Sequence, residues 1–307
     1  MDSVTLAPDL QDTIAAPVGA ASRPSRAGDF LALTKPRMNF LVVATTGVGY
    51  FMAARGGEDW SRLLHTLIGT TLTAAGASVL NQYAERELDS RMVRTHDRPL
   101  PSGRMLPLEA LTFGILLAVT GLLELRLFVN GITAAVGAFT LASYVFLYTP
   151  LKRHSTLCTI VGAVPGALPI VMGWTAVRGA LSPEALALFG ILFLWQMPHF
   201  LAIAILYRDD YAAGGFKMLP VVDAGLRTTA GQIVLYSAAL IPVSLLPALF
   251  HSAGMLYGVA AIALGAIFGG FGVVCALGRG RAQARQLFLA SIAYLPLLLT
   301  AMMMDKI

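Results

Sequence analysis

The sequence predicts an all-α, polytopic membrane bundle of about nine transmembrane helices, and three observations predict it. Of the 307 residues, 56% are hydrophobic and only 13% charged, with a mean hydropathy of +0.71, a balance far too apolar for a soluble domain of this length. The apolar residues gather into nine runs long enough to cross a hydrocarbon core, for which roughly 17–25 residues suffice. Of the 22 Lys and Arg, only Arg55, Arg62, Arg126, Arg178 and Lys306 fall on one side of those runs. Basic loops are retained in the cytoplasm, so the other side, which includes the N-terminus, is expected to face inward.

Residues 1–29 are rich in Ala, Pro, Ser and Thr and carry Asp2, Asp9, Asp12 and Asp29. They have neither the apolar core of a secretory signal nor the Arg-rich, acid-poor make-up of a transit peptide; a disordered cytoplasmic tail is expected, with the membrane domain over 30–307. Span one, 37–54, begins at the T-K-P-R of Thr34 to Arg37, and span two, 63–84, runs into the most charged stretch of the chain. Spans three and four cover 108–124 and 131–149, the fourth ending at Y-T-P-L-K-R from Tyr148. Span five, 157–177, holds Gly162 and Gly166, and Gly269 and Gly270 lie in span eight; all four are read as sites of close helix approach. Span six, 184–207, contains Pro198 and His199. Spans seven and eight, 230–250 and 255–278, are divided only by His251 to Gly254, and span nine covers 287–304. Cys158 and Cys275 both lie in spans, without disulfide or metal-ligand spacing.

The stretch Asn81 to Arg104 sets four carboxylates and five arginines against the end of span two. Asn81, Glu85 and Asp89 recur every fourth residue, so a helix continuing from the span would project them from one face. An amide and two carboxylates on one stripe can hold Mg²⁺ through oxygen ligands. On spacing alone a solvated acidic helix end would look the same. The arginines that follow, Arg91, Arg94, Arg98 and Arg104, tip the reading, since Arg suits bidentate contact with phosphate. Carboxylates for a divalent cation beside guanidiniums for anionic oxygens form the inventory a diphosphate needs.

A second constellation ends span six, where His199, Ile203, Tyr207 and Asp210 share one helical stripe, with Asp209, Arg208 and Lys217 beside it. Two such loops suggest a pseudo-repeated bundle that brings both over one central cavity open to the cytoplasmic side. Lys35, Arg37, Lys152 and Arg153 would ring the mouth of that cavity and favour an anionic ligand, although each alone would serve as an interfacial anchor. His199, a titratable group inside a span next to a proline, is either satisfied by a neighbour such as Gln196 or functional.

The chain resembles the intramembrane aromatic prenyltransferase (UbiA-type) superfamily and, within it, the protohaem IX farnesyltransferases or haem O synthases. The resemblance rests on N-x-x-x-E-x-x-x-D from Asn81, R-T-x-x-R-P-L-P-S-G-R from Arg94, Y-T-P-L-K-R from Tyr148, W-Q-M-P-H-F from Trp195 and D-Y-x-x-G-G-x-x-M-L-P from Asp210. It implies transfer of a farnesyl group from farnesyl diphosphate to a vinyl carbon of haem b, with Mg²⁺ as cofactor, in the bacterial inner membrane. It further implies Asn81, Glu85, Asp89 and Asp210, with Asp209, as the metal-diphosphate site, and Arg94 and Arg98 as diphosphate contacts with Lys35, Arg37 and Lys152. His199 would meet the acceptor, through the haem iron or a propionate, and Tyr207 would be a further substrate contact. Partners implied are the lipid bilayer, the two substrates, and haem A synthase or terminal-oxidase assembly downstream; nothing points to nucleic acid. The rival readings are a prenyltransferase for a quinone precursor or chlorophyll-type acceptor, a secondary transporter and a haem carrier.

Overall fold

The computed structural model describes residues 25–57 and 59–307. Among them, regular structure is helical apart from an isolated bridge between Ala253 and Lys306, and every one of the nine apolar runs forms a helical span close to its expected bounds. A short α1 (Arg26–Leu33) leads into α2 (Pro36–Ala53), α3 (Trp60–Asp89) and α4 (Pro107–Phe128). The fourth run is one span built of α5 (Gly131–Ala142), a π-helical stretch (Ser143–Tyr148) and α6 (Thr149–His154). Next come α7 (Cys158–Arg178) and α8 (Pro183–Leu206), followed by the short α9 (Arg208–Ala213) and α10 (Leu219–Val222). The chain closes with α11 (Arg227–Ser244), α12 (Leu246–Leu249), α13 (Met255–Gly278) and α14 (Arg281–Met304).

Among the described residues, 8 of these spans are long and apolar enough to cross a membrane. The remaining one, α2, is a helix of 18 residues whose first turns carry Arg37 and Asn39. The break between spans seven and eight is real: His251 takes a left-handed φ of 55° and α13 restarts at Met255.

Of the expected tail, residues 1–24 lie outside the described residues, while 25–29 belong to the folded domain. Ser25 Oγ accepts from the Gly28 amide at 3.1 Å and caps α1. Asp29 is buried against Arg104, whose Nε donates to it at 3.0 Å. The tail boundary at 29 is corrected on this ground: an acid in an Ala- and Pro-rich stretch reads as solvated until its cation, far along the chain, is known.

The two central helices are α7 and α8. Helices α2, α5 and α8 pack on α7, and α11 and α14 pack on α8; α4 lies against α3, and α13 against α11 and α14. The α2–α7 contact is backbone on backbone, since a Cβ on Gly49 or Gly173 would sit 1.9 Å from the carbonyl oxygen of Ile170 or Thr46. Gly162 and Gly166 likewise face Tyr148 and Gln196 closely, but Gly269 and Gly270 meet nothing within 4 Å and join no such contact. At the end of the bundle opposite the charged loops, Asp305 accepts from the Tyr257 amide at 2.7 Å at the start of α13. Beside it, Lys306 Nζ donates to the carbonyls of Phe51 and Ala54 where α2 ends.

Candidate functional site

Helix α3 is 30 residues long, roughly 45 Å at 1.5 Å per residue, so it outlasts a hydrocarbon core of about 30 Å. Its surplus turns carry Asn81, Glu85 and Asp89. These polar groups are only 1%, 5% and 1% exposed; a solvated helix end is therefore ruled out. Each is met by a cation from a different element. Lys35 Nζ donates to Asn81 Oδ1 at 3.3 Å, Lys152 Nζ to Glu85 Oε1 at 2.7 Å and Arg98 Nη1 to Asp89 Oδ2 at 2.6 Å. The result is a ladder of three rungs along one helix face.

Local structure explains why those cations reach the stripe. Lys35, just before the proline that starts α2, takes a left-handed φ of 49° and ψ of 58°. For a residue other than glycine this costs on the order of 1–3 kcal/mol and persists only where surroundings enforce it. Here the Asn39 side-chain amide donates to the Thr34 carbonyl at 2.6 Å and the Asn39 backbone amide to the Lys35 carbonyl at 3.1 Å. The π-helical stretch before α6, a kind of distortion frequent at functional sites, precedes Thr149, whose hydroxyl accepts from Asn81 Nδ2 at 3.0 Å and donates to the Tyr144 carbonyl at 2.8 Å. One turn on, Lys152 lies with its ammonium 4.5 Å from the Tyr148 ring centroid and 5.5 Å from that of Phe216. Burial, and next the positive charge of Arg98, push the Lys35 ammonium down to about 7; Lys152 adds to this and the Glu85 and Asp89 carboxylates oppose it.

The second loop folds onto the first. The Lys217 amide donates to the Lys152 carbonyl at 2.7 Å, and Leu88 and Met92 cluster with Cys158, Phe216 and Met218. The Gly214–Gly215 pair makes this possible: a Cβ on Gly214 would lie 2.9 Å from Met92 Sδ, and Gly215 turns the chain at φ +74°. The Arg94 guanidinium lies over Tyr207 and Tyr211, at 5.3 and 5.9 Å from the ring centroids, so both motifs occupy the same end of the bundle.

Not every expected residue joins the ladder. Asp209 is exposed and accepts from Arg281 of α14 at 2.7 Å, a pairing at the rim. Asp210, in the first turn of α9, is half-buried, and Arg37 is exposed. Sequence reasoning missed Thr149, Tyr148 and Phe216, although the first two stand inside the Y-T-P-L-K-R block and could have been read as supports for Lys152. Among the described residues no three His, Cys, Asp or Glu side chains cluster to hold a metal. The stripe nonetheless offers oxygen donors of the kind a hard divalent cation takes: the Asn81 amide oxygen and two carboxylates, each of which engages its lysine or arginine through one oxygen and keeps the other.

His199 lies in an aromatic stack, with ring centroids 5.0 Å from Trp195 and 5.2 Å from Phe288. With the Ser291 hydroxyl donating to the Phe288 carbonyl at 2.6 Å, the same oxygen, 2.7 Å from His199 Nδ1, accepts from it. In that tautomer the Nε2 lone pair is open to another partner. The alternative partner Gln196 instead donates to the Leu192 carbonyl at 3.0 Å.

The UbiA prenyltransferase family profile matches residues 42–295. The chain is 50% identical over 287 residues to a protoheme IX farnesyltransferase of Solibacter usitatus (strain Ellin6076), covering 91% of this chain and 98% of that one. It is 44% identical over 303 residues to a protoheme IX farnesyltransferase of Koribacter versatilis (strain Ellin345), covering 94% and 97%. Among solved structures, digeranylgeranylglyceryl phosphate synthase superposes with a TM-score of 0.74 at 17% identity over 90% of this chain and 97% of that one. A UbiA homolog from Archaeoglobus fulgidus bound to GPP and Mg²⁺ superposes with a TM-score of 0.66 at 14% identity, over 89% and 99%.

Proposed function

The chain belongs to the UbiA prenyltransferase family, in its protoheme IX farnesyltransferase group, and from that premise we propose how its residues transfer a farnesyl group from farnesyl diphosphate to a vinyl carbon of haem b. The observation that carries the reading is the ladder itself: an oxygen-donor stripe and three cations, Lys35, Lys152 and Arg98, gathered at one dry site. Asn81, Glu85 and Asp89 would hold Mg²⁺, with Asp210 of the second loop as a further candidate ligand; the Archaeoglobus homolog bound to GPP and Mg²⁺ supports this choice of metal.

When bound, Mg²⁺ supplies positive charge against the diphosphate as it leaves. The chain's own part is to hold that diphosphate. Lys35, Lys152, Arg94 and Arg98 present donors to its oxygens, and stabilising charge as it develops lowers the barrier to breaking the allylic C–O bond. The bond's electron pair leaves with diphosphate. The vinyl group's π electrons then form the new C–C bond to C1 of the farnesyl chain; water adds at the remaining vinyl carbon and loses a proton, giving the hydroxyethylfarnesyl substituent. No protein nucleophile is required. The apolar helices exclude bulk water from the allylic cation, and His199, with its proton on Nδ1, would offer the Nε2 lone pair to the haem iron.

The chain is a multi-pass membrane protein. A bacterial inner-membrane location with the N-terminus in the cytoplasm is supported by the one-sided distribution of Lys and Arg, and the product would pass to haem A synthesis or terminal-oxidase assembly. The test is purified protein with labelled farnesyl diphosphate and haem b, with and without Mg²⁺. Label on haem only when Mg²⁺ is present is the expected result; label on a quinone precursor and none on haem would overturn the acceptor.

A further inference from the structure

A cleft of about 400 Å³ opens between the end of α8 and the first turns of α14, lined by Leu206, Tyr207, Arg285, Phe288 and Leu289. Three of its features bear on what it holds. Arg285 is exposed and, unlike its neighbour Arg281, which is paired with Asp209, has no hydrogen-bond or ion-pair partner among the described residues. Phe288 forms one wall and continues into the stack with His199, 5.2 Å away, and Trp195 beyond it. Tyr207 forms another wall while its ring also meets Arg94 of the first loop at 5.3 Å. The cleft thus shares one residue with the diphosphate-facing loops and one with the aromatic stack.

We propose that this cleft is the acceptor site and that Arg285 binds a carboxylate of the tetrapyrrole. The proposal rests on the reading above that the acceptor is haem b. Its chemistry matches the lining: a wide, flat, apolar ring system suits Leu206, Phe288 and Leu289, and an anionic edge suits an unpaired guanidinium, the side chain best shaped for a carboxylate. Pockets of this size and mixed lining are typical of small-molecule sites. Haem b carries its two propionates on one side of the ring and its vinyl groups toward the other. Holding the carboxylate edge on Arg285 therefore leaves the vinyl-bearing edge to meet the other walls, among them Tyr207, whose ring also meets Arg94 of the first loop. Arg285 would act as a positioning and specificity residue, taking no part in the bond changes.

The test is steady-state transfer from labelled farnesyl diphosphate by the full chain in lipid nanodiscs at fixed Mg²⁺. Wild type, Arg285→Ala and Arg285→Lys are each measured with haem b and with its dimethyl ester. Arg285→Ala is expected to raise the KM for haem b about tenfold or more, the loss of one charge-assisted contact, while the KM for farnesyl diphosphate stays within about twofold and Arg285→Lys restores most of the difference. With the ester, wild type should fall to the level of Arg285→Ala and the gap should close. Equal KM values for haem b in wild type and Arg285→Ala, an ester penalty of the same size in both, or a parallel rise in both substrates' KM values would overturn the site. If wild type transfers nothing to haem b, the parent reading has failed; the site is then judged on haem-binding isotherms, where equal affinity in the two proteins overturns it.

Discussion

The ends of α3 and α8 carry the same residue types, acids flanked by arginines, and the structure treats them in opposite ways. At the end of α3 the two acids of the stripe, Glu85 and Asp89, are buried and each is matched to one cation from another element, while Glu87 between them is exposed beside Arg86. At the end of α8 Asp209 lies in water on Arg281, and Asp210 is half-buried. The difference teaches that composition marks where charge is handled, whereas burial decides how strongly. In a dry site a charge acts with little screening; at the rim it is worth a fraction of that.

The widest gap should appear in catalysis. Asp89→Asn should lower kcat/KM by about 100- to 1,000-fold, the usual effect of removing one group that stabilises developing charge, and Asp209→Asn should change it by less than about twofold. Equal losses in steady-state assays would erase the contrast. Next comes stability. Lys152→Met strands the Glu85 carboxylate in the interior and should cost about 3–5 kcal/mol, seen as a lowered unfolding midpoint in detergent; an unchanged midpoint would mean that the carboxylate is already neutral.

A pH profile probes the same ladder. Because Lys35 titrates near 7, it loses its charge as pH rises through that value, and affinity for farnesyl diphosphate should weaken by about tenfold for each unit above it. Lys35→Arg, always charged, should flatten the profile. Folding should respond with the opposite sign: between about 7 and the ordinary lysine value of 10.5 the unfolded chain holds a proton that the folded chain has released, so stability gains as pH rises across that window. The smallest effect belongs to Arg281→Met, which removes an exposed pair worth about 0–1 kcal/mol. A larger loss of thermal stability would show that the rim is tighter than its exposure implies.

The helical spans were legible in the sequence because a hydrocarbon core imposes a length and excludes charge, and both constraints leave one-dimensional traces. The α3 stripe was legible for a similar reason, since every-fourth spacing survives without tertiary knowledge. Partnership was not. Nothing local distinguishes Asp209, taken by Arg281, from Asp210 next to it, or tells that Asp29 belongs to Arg104. Arg285 reads in sequence only as one more topology marker, because its neighbours in space, Leu206 and Tyr207, sit some eighty positions earlier in the chain.

The bond from Lys306 to the carbonyls of Phe51 and Ala54 joins residues about 250 positions apart. During synthesis, the first hydrophobic span must therefore wait in the bilayer with its far end unlatched until nearly all of the remaining chain has left the ribosome. Termination after Met304 but before that lysine would release a protein in which every span is present yet the first is still untied.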